Sequence, residues 1–115
     1  MEIANWMISF YKTKRGEYPV YEFFKKQRPQ TQSKITHLID LLAKYGNMLG
    51  LPHSKALGGG LYELRIRGKE ELRIFYGFTQ QKSIYLLHAF KKQTQETPKK
   101  ELDVALQRKE EIVTI

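Results

Sequence analysis

The chain has 115 residues, 41% of them apolar, which suits one compact domain and leaves no room for a second core. It has no cysteine, which excludes a disulfide framework, a thiolate nucleophile and every cysteine-based zinc site. Its formal charge is +8, with ten Lys/Arg against four Asp/Glu in residues 51–100 and a reversal to two against four in residues 101–115, a balance that fits a polyanionic partner such as nucleic acid.

No apolar run reaches the length of a membrane span, and no basic stretch followed by an apolar segment opens the chain, so a cytoplasmic protein without membrane contact is expected. Ile3, Trp6, Ile8 and Phe10 predict a first strand, followed by a polar turn from Lys12 to Gly16. Pro19 suits a first helical residue, and Val20, Phe23 and Phe24 keep helical spacing up to Arg28-Pro29. Ile35, Leu38, Ile39 and Leu42 then form one apolar stripe, and Gly46 ends the run. His37 lies beside that stripe and reads as a structural or surface histidine.

Gly46 to Gly60 is glycine-rich and reads as a connection without a core of its own. It is no Walker-type phosphate loop, because no Gly-Lys-Ser/Thr ends it and no helix follows. Leu61–Ile66, Glu71–Phe78 and Ser83–Lys91 predict three antiparallel strands in a meander, with turns at 67–70 and 79–82. Thr97 and Pro98 suit the cap and first residue of a last helix, carried by Leu102, Ala105, Leu106 and Val113. The expected fold is α+β, in the order β-α-α-β-β-β-α: an antiparallel twisted sheet with an N-terminal αα-hairpin and a C-terminal helix.

Alternation along strands places Leu64, Leu72 and Ile74 towards the helices, so that Arg65 and Arg73 emerge together on an uncovered face. Continued alternation along Ser83–Lys91 adds Lys91 to them and puts His88 in the core with Ile84 and Leu86. Lys55 and Arg67 would rim this surface as RNA contacts, and Lys92 stands at the strand's exit. Like charges a few ångströms apart repel by about 4 kcal/mol at an effective dielectric of 20, so something negative is expected among them. Either Glu63 supplies it, as a structural ion-pair network, or the arginines grip a phosphate bidentately. His53 lies in the loop and reads as a surface residue, Tyr62 and Tyr76 as packing residues. The three histidines show no metal-ligand spacing, so neither metal nor cofactor is expected.

Three runs carry a family resemblance: Leu57-Gly58-Gly59-Gly60-Leu61-Tyr62-Glu63-Leu64-Arg65, then Leu72-Arg73-Ile74-Phe75-Tyr76, then Leu86-Leu87-His88-Ala89-Phe90-Lys91-Lys92-Gln93-Thr94-Gln95-Glu96-Thr97-Pro98. Together they resemble the RelE/HigB-type toxin superfamily, in its phage-derived HigB-like branch, densely over residues 57–108. The resemblance implies a toxin of a type II toxin-antitoxin pair. Such a toxin is a metal-independent endoribonuclease that cleaves messenger RNA on the ribosome and is neutralised by a cognate antitoxin, often a helix-turn-helix protein.

It also implies catalytic roles for Arg65, Arg73, Lys91 and Lys92. The two arginines would brace the non-bridging phosphate oxygens while the ribose 2′-hydroxyl attacks, and a lysine would assist the leaving oxygen. Many RelE members place a tyrosine shortly after the basic pair, whereas this chain has none beyond Tyr85, so a different acid–base set is required. Two other readings stay open: a ParE-like inhibitor of DNA gyrase, and a non-catalytic RNA- or ribosome-binding module.

Overall fold

The computed structural model describes residues 5–79 and 82–113. The elements run β1 (Met7–Phe10), α1 (Pro19–Lys25), α2 (Pro29–Tyr45), β2 (Ser54–Gly58), β3 (Leu61–Ile66), β4 (Leu72–Thr79), β5 (Ser83–Lys91) and α3 (Lys99–Val113). Ile3, Gln80, Gln81 and the side chain of Val113 lie outside the described residues.

Prolines set both early helix starts. Pro19 opens α1, and Pro29 opens α2 rather than merely interrupting a helix. The residue before a proline is steered out of the α region, and Arg28 accordingly sits at φ −66, ψ 156, making a sharp corner between the two helices. Gly46 ends α2 at φ +53, its N–H donating to the Leu42 carbonyl.

The five strands form one sheet in the order β1-β5-β4-β3-β2. Strands β2 to β5 are a four-strand antiparallel meander that begins at the far edge, and β5 arrives beside β1 and runs parallel to it. The expectation of three meander strands, with Gly46–Gly60 serving only as a connection, is therefore corrected. Ser54 pairs with Leu64, Lys55 with Glu63 and Ala56 with Tyr62, forming a hairpin closed by Gly58-Gly59-Gly60. All three glycines have positive φ, a conformation side-chain-bearing residues rarely adopt, which is why a run that looks like linker closes a strand pair.

Helices cover both faces. On one, α1 and α2 bury Val20, Ile35, Leu38 and Leu42 against Leu64, Ile66, Leu72, Ile74, Tyr76, Ile84 and Leu86. On the other, α3 and Tyr11 bury Ala105 and Ile112 against Leu61, Phe75, Leu87 and Phe90. The face expected to be open is the one α3 packs on. With cover on both sides, β4 is buried from Leu72 to Gly77 and shows no alternation of burial.

A β-bulge changes the far end of β5. Phe75 pairs with His88 but Tyr76 pairs with Leu86, which leaves Leu87 as an extra residue. Beyond it the faces swap: Ile84 and Leu86 join the α1/α2 core, whereas Phe90 joins the α3 core. His88 thus leaves the face of Ile84 and Leu86, and its Nε2 lies 2.8 Å from Glu101 of α3. None of the described helices is long and apolar enough to cross a membrane.

Candidate nucleic-acid interface

The structure brings Arg65 and Arg73 together, directly opposite each other on β3 and β4. It does so around a carboxylate. Both Nε atoms donate to Oε1 of Glu63, at 3.0 Å from Arg65 and 2.8 Å from Arg73. Arg73 also donates from Nη2 to Glu71 at 3.2 Å and from Nη1 to the Leu72 carbonyl at 3.0 Å. The Arg73 and Glu63 side chains are only 4% and 3% exposed, while Arg65 is 19% exposed. The internal ion-pair network is thus the arrangement found for both arginines, and Arg65, the more exposed of the two, is also a lining residue of a surface groove.

Lys91 does not join them. It pairs in register with Leu72, whose side chain belongs to the α1/α2 core, so Lys91 departs on the opposite face from the arginines. Its ammonium lies 3.2 Å from Glu70. The cause is the bulge at Leu87, since one inserted residue reverses the sidedness of all that follow it. Lys92 is half-buried, with its N–H donating to the Glu71 carbonyl at 2.7 Å. Lys55 is exposed on edge strand β2, opposite Glu63. Arg67 is exposed in the β3–β4 turn, 3.7 Å from Glu71.

Positive charge gathers elsewhere, where the α1–α2 corner meets the β3–β4 turn. A cleft of about 540 Å³ is lined there by Lys26, Arg28, Lys34, Arg67 and Lys69, with Glu70 as the one carboxylate of the lining. Lys34 reaches across from α2, its ammonium donating to the Arg67 carbonyl at 3.2 Å. Gln30 and Thr31, in the first turn of α2, complete the wall. That turn has no acidic residue and no side-chain cap, so its backbone N–H groups and the positive end of the helix dipole add to the cationic field. An anion with several oxygens, such as a phosphate, is the ligand this arrangement suits.

A smaller groove of about 250 Å³ adjoins the cleft and shares Lys34, Ile66 and Arg67 with it. Its other lining residues are His37 and Leu38 of α2, Pro52 and His53 of the loop before β2, and Arg65. The combined surface puts a row of cations beside two imidazoles, over an apolar floor of Leu38, Pro52 and Ile66. Strand alternation could not reveal it, because most of its residues come from the α1–α2 corner, α2 and two loops, with only Arg65, Ile66 and Leu72 on strands. The run Lys25-Lys26-Gln27-Arg28-Pro29 at a helix corner was the available signal.

Residues 22–110 match the model of the family described as Phage derived protein Gp49-like (DUF891). The matched span runs from α1 to near the end of α3 and includes both walls of the cleft. No curated protein matches the sequence. With the family model covering most of its length, the chain belongs to the Phage derived protein Gp49-like family.

Proposed function

We propose that this protein is the toxin of a type II toxin-antitoxin pair, of RelE/HigB type, and cuts messenger RNA on the ribosome. The observation that carries the reading is the cationic cleft of Lys26, Arg28, Lys34, Arg67 and Lys69, adjoining the groove that Arg65 helps to line. Messenger RNA would lie with phosphates in the cleft and one ribose in the groove. The 2′-hydroxyl is then the nucleophile, so the chemistry requires no metal-activated water. Positioning and fixed charge supply the acceleration.

Within this reading Arg65 contacts the reacting phosphate, and Arg73 is a positioning residue that acts on Arg65 through their shared carboxylate Glu63. Lys91 steadies the β3–β4 turn through Glu70. A cognate antitoxin, with helix-turn-helix character by resemblance, would silence the protein in the cytoplasm.

The test is a brief pulse of expression followed by mapping of messenger-RNA 5′ ends. Codon-phased cuts that disappear in Arg65→Ala and in a Lys26→Ala/Arg28→Ala/Lys69→Ala variant are expected. Growth arrest with intact transcripts would overturn the reading, and loss of supercoiling activity would replace it with gyrase inhibition.

A second reading has its own support. The neutralisation of Arg73 by Glu63 and Glu71 removes one cation from any active centre, which favours a module that binds RNA or ribosomes without cutting. In that case Arg65→Ala weakens ribosome binding in step with toxicity, whereas an enzyme keeps its binding and loses its cuts.

A further inference from the structure

We infer that His37 and His53 are the proton-transfer pair of the RNA-cleaving reaction, an inference that rests on the endoribonuclease reading and deepens it. Cleavage by an adjacent 2′-hydroxyl moves two protons, one off the attacking oxygen and one onto the leaving oxygen. An ammonium or a guanidinium is poorly suited to both tasks, because groups of that class hold their protons tightly near neutral pH. Imidazole is the side chain that changes protonation there. Two imidazoles line this one groove, and they come from different elements.

Each is placed by its backbone while its ring remains unspent. His37 projects from α2 one turn after Lys34, so both lie along the same side of the helix. His53 is fixed through its backbone, with its N–H donating to the Gly50 carbonyl at 3.0 Å and its carbonyl accepting from the Arg65 N–H at 2.8 Å. The second bond ties His53 to Arg65, a β3 residue that also lines the groove. Neither imidazole hydrogen-bonds to another described residue. His88 differs, since Glu101 and Arg108 occupy both sides of its ring. The charged residues that line the groove with the pair are Lys34, Arg65 and Arg67, and Asp40 stands beside His37 on the neighbouring surface. Leu38, Pro52 and Ile66 line the same groove and offer the sugar or base an apolar rest.

The step balances without a co-reactant. One neutral imidazole takes the proton of the 2′-hydroxyl as that oxygen bonds to phosphorus. The P–O5′ bond breaks, and the other ring, as imidazolium, gives its proton to O5′. The products are a 2′,3′-cyclic phosphate and a 5′-hydroxyl end. The missing tyrosine beyond Tyr85 is then no gap, because both protons are handled from α2 and from the loop before β2.

The experiment uses the purified full chain and ribosomes carrying a messenger RNA, either unmodified or with sulfur replacing the bridging 5′-oxygen at the cut. A thiolate leaves without a proton, so sulfur bypasses the acid and not the base. His37→Gln and His53→Gln are each expected to slow cleavage of the unmodified RNA by about 100-fold or more while ribosome binding and melting temperature are retained. The sulfur substrate should restore one of the two variants to within about tenfold of the unsubstituted protein and leave the other slow. Near-normal cleavage by either variant, or failure of sulfur to restore either one, overturns the pair while leaving the endoribonuclease reading in place. If the unsubstituted protein cuts no ribosome-bound RNA, that reading falls and takes this inference with it.

Discussion

Arg73 donates to Glu63 at 2.8 Å across neighbouring strands, with both side chains almost wholly removed from solvent. A buried pair of this kind makes its members mutually dependent, since removing one strands the other's charge in a medium of low polarity. Glu63→Ala is therefore expected to cost about 3–5 kcal/mol of stability in urea unfolding. The paired change Glu63→Leu/Arg73→Met, which replaces both charges with apolar volume, is expected to cost less than either single change. A double variant less stable than both singles would show that the pair stabilises in its own right. Arg73→Ala is for the same reason a poor probe of activity, because its effect mixes folding with function.

In the cleft, Lys26, Arg28 and Lys69 line the wall without an ion pair to a described residue, so their charge is available to a ligand. Neutralising all three with glutamine is expected to weaken binding of a labelled single-stranded RNA. It should also flatten the plot of log affinity against log salt by about 2, from about 0.7 per lost phosphate contact. Unfolding free energy should move by no more than about 0.5 kcal/mol per site, since none of the three supports a core. Lys91→Gln, on a side chain turned to the other face and held by Glu70, should leave the salt slope unchanged. An unchanged slope in the triple variant would place RNA elsewhere on the molecule.

Much of the fold was legible because its apolar pattern is strong. The stripe Ile35, Leu38, Leu42 and the inward set Leu64, Ile66, Leu72, Ile74 are buried as their spacing predicts. Two local features defeated the same reasoning. The strand Ser54–Gly58 is short, exposed over much of its length and ends in glycines whose positive φ makes a hairpin, so its sequence reads as linker. The bulge at Leu87 lies inside a run, Ile84 to Phe90, that is apolar except for His88, and nothing in it marks which residue is the extra one. One unmarked insertion was enough to carry Lys91 away from Arg65 and to move His88 onto α3. The grouping of Arg65 with Arg73 was legible from period-two alternation, and so was Glu63 as the alternative source of counter-charge. The cleft was not, because it is assembled from segments that meet only in three dimensions.

Gly46 is held in place by Trp6, the chain's single tryptophan. A Cβ added to Gly46 would stand 1.9 Å from the indole nitrogen, and the residue's φ of +53 already disfavours any side chain. The ring has little freedom to retreat, since it packs edge-on against Phe78 at 5.1 Å and its backbone N–H donates to the Ala43 carbonyl at 2.8 Å. Gly46→Ala is expected to cost about 3 kcal/mol or more, summing backbone strain and displaced packing. Trp6 fluorescence would report it directly, as a red-shifted emission in the folded variant. A loss below about 1 kcal/mol with unshifted emission would mean that the ring and the helix end part easily.

His88 links the bulge of β5 to α3 in a way that fixes its protonation. Its Nε2 lies 2.8 Å from Glu101, which can only accept, and its Nδ1 lies 3.4 Å from Arg108, which can only donate. Both neighbours are satisfied by a neutral ring carrying its hydrogen on Nε2. Burial pushes the pKa below the ordinary 6.5, and Arg108 pushes the same way, against the opposing pull of Glu101. The unfolded chain therefore takes up this proton more readily than the folded one. Above about 6.5 the ring is neutral in both states and its contribution to stability is complete; as pH falls through the folded-state pKa, that contribution is lost. Urea unfolding of the protein and of His88→Gln across pH 8 to 5 should show the difference between them shrinking towards acid. A difference that grows instead would mean that the Glu101 carboxylate outweighs burial and that the folded protein holds His88 charged.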